Sequence, residues 1–410
     1  MIKKIIISLI MVMFVISLDI YKGSTDNSKL IGAYIDNEYV STIPNKDDGY
    51  VVEKIVCDND AVGEWDYNDW GLLLTNVKKK ARCNIYFKKG IKLADTITLV
   101  DTAWKCPTVG SDGSVELTDT VVNDSALCMA PDAYGTSYYY RGLAINNYVY
   151  FAGFYWRIVR INGDGSIRMI YDGTSAHKNG EVSTDRQIGT SSYNGDDDNA
   201  YVGYMYGKIN ALNIEEAHTN TNDSIIKTYI DTWYEKNLKN TTNEHYLADN
   251  IFCNNRSISS KNTYKDTVYS NFGYGKNPTL YEWIDDDKKP NLICSVKNDS
   301  FSVNDISHGN GALTYPISLL SIDEYILANG NRSTNYNLYL TTGNWWWIFS
   351  VYYFDTGVRL QRVGPPGYLS LGDYAFHNDG VRPVINLKPQ TLNYGDGSID
   401  NPYRLKNEIN

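Results

Sequence analysis

The sequence predicts an α+β fold dominated by strands, and three observations carry that expectation. The 35 tyrosines far outnumber the other aromatics, in a background rich in Asn, Asp, Gly and Ser, which is the composition of short strands joined by polar turns. Two apolar runs, Tyr148 to Ile161 and Ser166 to Tyr171, flank Asn162-Gly163-Asp164-Gly165 and form the clearest hairpin signature in the chain. Only one long stretch, Ser224 to Leu238, repeats apolar residues at helical spacing.

With 410 residues there is room for two or three domains and at least one large core. Lys and Arg number 38 against 48 Asp and Glu, a net charge of −10, and no basic stripe interrupts it, which argues against nucleic acid as a partner. Met1-Ile2-Lys3-Lys4 precedes an apolar run from Ile5 to Leu18. At about 14 residues the run fits a secretory signal better than a membrane span, which needs about 20. Residues 1–24 are therefore read as a signal peptide or an N-terminal anchor, with Gly23-Ser24 as the small-residue cleavage position. Membrane contact is expected only through this segment, if it is uncleaved.

Six cysteines, at 57, 83, 106, 128, 253 and 294, fit an exported protein whose thiols oxidise. Fifteen pairings are formally open. The sequential one, Cys57 with Cys83, Cys106 with Cys128 and Cys253 with Cys294, is expected because each pair lies within one segment.

Along the chain, residues 30–97 read as a small β module. Leu30 to Ile43 forms a hairpin about Asp36-Asn37, followed by strands at Tyr50 to Cys57, Gly71 to Val77 and Arg82 to Phe87, with Trp65 and Trp70 as core and rim. Residues 98–135 shift to Thr, Asp, Gly, Ser and Pro and read as a connecting segment pinned by Cys106 and Cys128. The large domain, 136–410, opens with the hairpin, whose Trp156, Ile158, Val159, Ile161, Ile167 and Met169 should seed its core. The helix Ser224 to Leu238 has Asn222 or Asp223 placed to cap it. Ser321-Ile322-Asp323-Glu324 is a capping box opening a second, short helix that stops at Gly330.

The chain is organised around Gly343 to Leu387. It begins with Trp345-Trp346-Trp347 and closes on Gly380 to Leu387, an apolar run that reads as a core strand. From Ile348 to Asn378 aromatics and arginines mix without a helical period around Gly364-Pro365-Pro366-Gly367. Loop-rich surface carrying Tyr and Arg is what recognition sites are made of, since rigid rings give contact area at low entropic cost. The candidate ligand-binding residues are Phe349, Tyr352, Tyr353, Phe354, Arg359, Arg362, Tyr368, Tyr374, Phe376 and His377. The competing reading is that any one of these rings is ordinary core.

Catalytic signatures are missing: the sequence has no G-x-S-x-G, H-E-x-x-H, P-loop or complete dinucleotide fingerprint. The histidines at 177, 218, 245, 308 and 377 stand singly, and no metal site is expected. Two acidic runs, Asp196 to Asp198 and Asp285 to Asp287, supply the oxygens that Ca2+ requires, but neither has EF-hand spacing, and solvated turns are the plainer reading.

Several stretches carry a resemblance: Tyr148 to Ile170, Asn199 to Gly207, Phe252 to Ser257, Asn310 to Leu319, Gly343 to Tyr353 and Asp379 to Lys388. In these, residues 136–410 resemble exported bacterial surface proteins, Firmicutes-like, whose C-terminal domain is C-type-lectin-like and related to formylglycine-generating enzymes. They are also similar to the variable ligand-binding proteins of diversity-generating retroelements. The resemblance implies that 348–378 is the altered region. Where that family shows Trp-x-x-Ser-Pro this chain has Trp347-Ile348-Phe349-Ser350-Val351. The paired late cysteines of the enzymes are missing, since no cysteine follows Cys294, and so are the calcium-lectin triplets Glu-Pro-Asn or Gln-Pro-Asp with Trp-Asn-Asp. The expectation is an adhesin-like, non-enzymatic protein that presents 348–378 to a protein or glycan ligand on another surface. The alternatives are an enzyme related to formylglycine-generating enzymes and a structural, pilus-like subunit.

Overall fold

The structure is a computed structural model that describes residues 31–45, 50–66, 70–77, 81–89, 106–117, 125–198, 201, 203–209, 216, 218–256, 289–331, 333–354, 358–389, 392 and 395–405; at 51, 66, 88, 89 and 350–354 it describes the backbone only. The expected signal segment and the acidic run Asp285 to Asp287 lie outside the described residues. The chain divides into two units, Met1–Lys92 and Leu93–Asn410, and it is β-rich with few helices.

In the smaller unit β1 (Ile31–Ile35) and β2 (Glu38–Val40) are joined by Asp36 and Asn37 at φ 50° and 68°. A two-residue hairpin loop needs this left-handed backbone, and Asp and Asn tolerate it. β3 (Tyr50–Cys57) and β6 (Cys83–Lys89) complete a sheet ordered β2-β1-β6-β3, while β4 (Val62–Asp66) and β5 (Gly71–Thr75) make a separate hairpin. The strand β4 was not anticipated. Cys57 lies opposite Cys83 in the β3–β6 register and is disulfide-bonded to it. Ala33, Leu72, Ile85 and Phe87 form the core, and Trp65 packs edge-on against Trp70 and Phe87 at 5.4 and 5.2 Å between centroids.

In the larger unit β7 (Thr108–Val109) and β8 (Val115–Glu116) pair with each other, and β9 (Ser125–Asp132) runs antiparallel to β10 (Gly135–Gly142). This corrects the expected connector over 98–135. Ala126, Cys128 and Ala130 point inward at every second residue, and such small side chains carry little hydrophobic period for a sequence to show. The expected single run Tyr148 to Ile161 is likewise two strands, β11 (Tyr148–Phe151) and β12 (Phe154–Ile161), turned by Ala152 and Gly153 at φ 55° and 82°. β13 (Ile167–Gly173) follows β12 through the predicted turn, and all six residues expected to seed the core are buried.

Beyond these come β14 (Thr190–Ser192), β15 (Met205–Tyr206), β16 (Asn222–Asp223) and the helix α1 (Ile225–Asn237). The helix is capped by Ser224, whose hydroxyl accepts from Lys227 N at 3.2 Å; Asn222 and Asp223, expected as caps, are instead paired in β16. Then follow β17 (Phe252–Cys253), β18 (Ser300–Phe301), β19 (Ile317–Ser318) and α2 (Ile322–Leu327). The capping box at Ser321 and Glu324 is present, and the helix closes where Gly330 N donates to Tyr325 O. Glu324 also accepts from Arg160 and Arg168 at 2.9 and 2.7 Å, tying α2 to β12 and β13. Arg160 in turn pairs with Asp132 of β9 at 2.6 Å.

The chain ends with β20 (Trp346–Phe354), β21 (Val358–Val363), β22 (Asp373–Tyr374), β23 (Asn378–Gly380), β24 (Val384–Leu387) and β25 (Tyr403–Arg404). Two sheets result. One runs β19-β24-β13-β12-β10-β9, with β11 and β25 continuing beyond β12; the other runs β14-β23-β20-β21-β22. The unit's main core draws on Trp156, Ile158, Ile230, Tyr325, Trp346, Trp347 and Ile385, and a second, smaller one gathers Val115, Ala126, Cys128, Ala130, Tyr139 and Leu292. Disulfides join Cys106 to Cys128 and Cys253 to Cys294, so the pairing is sequential throughout. Three disulfides fit a protein that matures outside the reducing cytosol. Among the described residues no helix is long and apolar enough to cross a membrane.

Candidate recognition face

Residues 348–378 were expected as loop, and most of them are sheet. The run from Trp346 to Phe354 is a central strand of the five-stranded sheet, flanked by β21 and β23. A continuous apolar run marks a strand covered on both faces. Trp346, Trp347, Ile348 and Phe349 are fully buried, and Phe349 packs against Tyr204 at 4.9 Å and Phe301 at 5.9 Å. Phe349 is therefore core, which corrects its place among the ligand-binding candidates. The side chains of Tyr352, Tyr353 and Phe354 lie outside the described residues.

On β21, Val358, Leu360 and Val363 are buried while Arg359 and Arg362 reach half-exposed positions. Arg359 stands directly opposite Tyr374 in the β21–β22 register. Its guanidinium carbon is 4.4 Å from the Tyr374 ring centroid, and Nη2 donates to the phenol oxygen at 2.9 Å. Cross-strand pairs and cation–π contacts of this kind each add about 0.5–1 kcal/mol. Tyr374 stacks nearly parallel on Phe376, 5.5 Å between centroids and 8° between planes, and His377 stands edge-on to both. Phe376 is 44% exposed.

Asp373 fastens this ring cluster to a second one. Its Oδ1 meets His377 Nδ1 at 2.7 Å, and its Oδ2 meets Arg362 Nη1 at 2.5 Å. The same Arg362 nitrogen donates to Asp379 at 2.9 Å, and the guanidinium lies 4.0 Å from the Trp345 ring centroid. Burial raises the Asp379 carboxyl above its ordinary range, against the opposing pull of Arg362. Tyr368 closes the group edge-on to Trp345 at 5.9 Å. Its position depends on the Gly-Pro-Pro-Gly turn: Gly367 has φ 72°, and a Cβ there would collide with Thr341 Oγ1.

Arg359, Arg362, Tyr368, Tyr374, Phe376 and His377 thus come together. Trp345, Asp373 and Asp379 join them, although none of the three stood among the candidate binding residues. The four-residue spacing of Asp373 and His377 was the one readable signal. With Arg362 held by two carboxylates, the outward chemistry of the face is apolar and aromatic, edged by His377 and Asn378.

Imidazoles also meet carboxylates elsewhere: His308 Nδ1 lies 3.0 Å from Asp305 Oδ2, and His177 is held between two acids. His177 Nδ1 is 2.9 Å from Glu181 and its Nε2 is 2.8 Å from Asp185, with Ser175 Oγ at 3.5 Å. Both ring nitrogens are engaged by acids, so neither is open to take the serine proton as a general base must. Among the described residues no group of three or more His, Cys, Asp or Glu is placed to hold a metal ion, the run Asp196 to Asp198 included.

No family model matches the chain, and neither a curated protein nor a solved structure matches it.

Proposed function

We propose that the large unit is a non-enzymatic recognition domain of an exported, cell-surface protein, C-type-lectin-like and related in fold to formylglycine-generating enzymes, with the small β module as its stalk. The observation that supports this reading is the pre-stacked Tyr374–Phe376–His377 ring cluster. It is half-open to solvent and is fixed from behind by Arg359 and from the side by Asp373. Rigid exposed rings lose little entropy on binding, and a neutralised surround avoids stranding a charge under a ligand.

If 348–378 is a diversified region, then among its described side chains the exposed or half-buried Arg359, Tyr368, Leu371, Tyr374, Phe376, His377 and Asn378 can tolerate change, whereas Ile348, Phe349, Val358, Leu360, Val363, Leu369 and Ala375 are core. The test is binding to glycan and surface-protein arrays by the wild type and by the combined Tyr374→Ala, Phe376→Ala, His377→Ala variant. Undiminished binding by the triple variant would remove this face from the function.

A further inference from the structure

Four fully buried charged side chains meet inside the large unit: Asp172, Arg157, Arg186 and Arg382. Asp172 Oδ1 accepts from Arg186 Nε at 2.9 Å and Nη2 at 2.7 Å, and from Arg382 Nη2 at 3.0 Å. Most remaining guanidinium nitrogens donate to neutral oxygens. Arg186 Nη1 reaches Thr341 O, Arg382 Nη1 reaches Leu340 O, and Arg157 Nε and Nη2 reach Asn147 Oδ1. Three cations therefore share one anion, an excess of two positive charges out of contact with water. Isolated buried charge is among the costliest arrangements a fold can hold. The Arg382 guanidinium is pushed down to about 9 by burial, with Arg186 and Arg157 adding to the fall and Asp172 opposing it.

The cluster is also incompletely bonded. Arg157 Nη1 is 3.8 Å from Asp172 Oδ2, too far for a hydrogen bond, and it has no acceptor among the described residues. The Tyr339 ring centroid is 5.4 Å from the Arg157 guanidinium carbon, and the Tyr339 hydroxyl likewise has no partner among the described residues. The same is true of the Tyr325 hydroxyl and of Trp346 Nε1, whose ring lies 4.9 Å from the Arg382 guanidinium carbon. Among the described residues, four unpartnered donors, one unpartnered acceptor in Asp172 Oδ2, and surplus positive charge occupy one interior region.

We propose that this interior binds one small monovalent anion of halide size, held by Arg157 Nη1 and the Tyr339 hydroxyl. A halide needs only donors, and a single one would offset one of the two excess positive charges. A buried water would accept from Arg157 and donate to Asp172 Oδ2, but it would leave the charge excess unchanged. The two occupants therefore differ in their response to salt identity.

The full-length protein is melted at constant ionic strength while chloride, and separately bromide, replaces gluconate. The site predicts a saturable rise in the thermal midpoint with either halide, as linkage requires of a ligand bound only by the folded state. Tyr339→Phe, which keeps the ring and removes the donor, shifts half-saturation to about tenfold higher halide. Should Arg157→Lys fold, it loses the halide response altogether; if it does not fold, the Tyr339→Phe titration alone decides. A crystal grown in bromide should show anomalous density beside Arg157 Nη1. Melting curves identical in all three salts, or a buried water alone at that position, would overturn the assignment.

Discussion

Arg359 and Tyr374 face each other across neighbouring strands, with the guanidinium over the ring and a hydrogen bond to its phenol at 2.9 Å. The contact backs the ring on which Phe376 stacks, so Arg359 orders the exposed cluster from beneath. Arg359→Ala is expected to weaken ligand binding by about tenfold while costing no more than about 1 kcal/mol of stability, the scale of a half-exposed cation–π pair. Binding isotherms and melts on the same preparations separate the two effects. An equal loss in both would make Arg359 a purely structural residue.

Phe349 and Phe376 make a matched contrast: the same side chain, fully buried in one place and 44% exposed in the other. Phe349→Ala should destabilise by about 3–5 kcal/mol through lost burial and a residual cavity. Phe376→Ala should stay within about 0.5 kcal/mol of wild type yet abolish binding. Urea unfolding of both variants measures the difference, and the reverse order would exchange their roles.

The contrast also marks where the sequence stopped being legible. Turn and cap chemistry was readable where Asn, Asp, Gly or Ser marks it, as at Asp36-Asn37, at Asn162 to Gly165 and at the Ser321 capping box, but not at Ala152-Gly153, whose turn interrupts an apolar run. Ile348 and Phe349 were read with the mixed run of aromatics and arginines that extends to Asn378, yet the continuous apolar character from Trp346 to Phe349 is the mark of a strand covered on both sides. The strand at Ala126 to Ala130 was hidden by small residues. Asp373 went unnoticed because its partnership with Arg362 depends on strand register, which a linear reading does not show.

The Cys253–Cys294 disulfide closes a loop of 41 residues in sequence, the longest of the three. Replacing both cysteines by serine should cost about 2–4 kcal/mol, most of it through the larger conformational freedom of the unfolded chain. The β17–β18 pairing of Cys253 with Ser300 is a backbone register that does not run through the sulfur bridge and is expected to survive its removal. Circular dichroism of the variant should therefore be native-like at low temperature, with only the melting point lowered. Loss of strand signal at low temperature would mean that the bridge is required for the fold itself.

Adjacent acids on α2 titrate in opposite directions. For Glu324, burial would raise the carboxyl, but the charges of Arg168 and Arg160 outweigh it and hold it at about 2, whereas Asp323, which accepts from backbone amides and faces no cation in this balance, is pushed up to about 7 by burial, with the Glu324 charge adding to the rise. A depressed carboxyl contributes stability that is full above its unfolded value, near 4.5, and is lost as pH falls toward 2. A raised carboxyl does the reverse: the folded state binds the proton that the unfolded chain has released, so stability declines from about pH 4 to about pH 7 and is level above. His218, which burial pushes down to about 3, favours the fold with rising pH up to about 6.5, so the wild-type curve mixes opposing slopes. Asp323→Asn isolates one of them, because Asn keeps the acceptor for the Asn291 amide and cannot ionise. The variant should gain stability relative to wild type steadily between pH 4 and pH 7, with a constant difference above that range. Glu324→Gln should cost about 3–5 kcal/mol at neutral pH, since it leaves Arg168 without its carboxylate and Arg160 with Asp132 alone. Denaturant midpoints at pH 4, 5.5, 7 and 8.5 supply the comparison, and parallel curves for wild type and Asp323→Asn would show that Asp323 is ionised throughout.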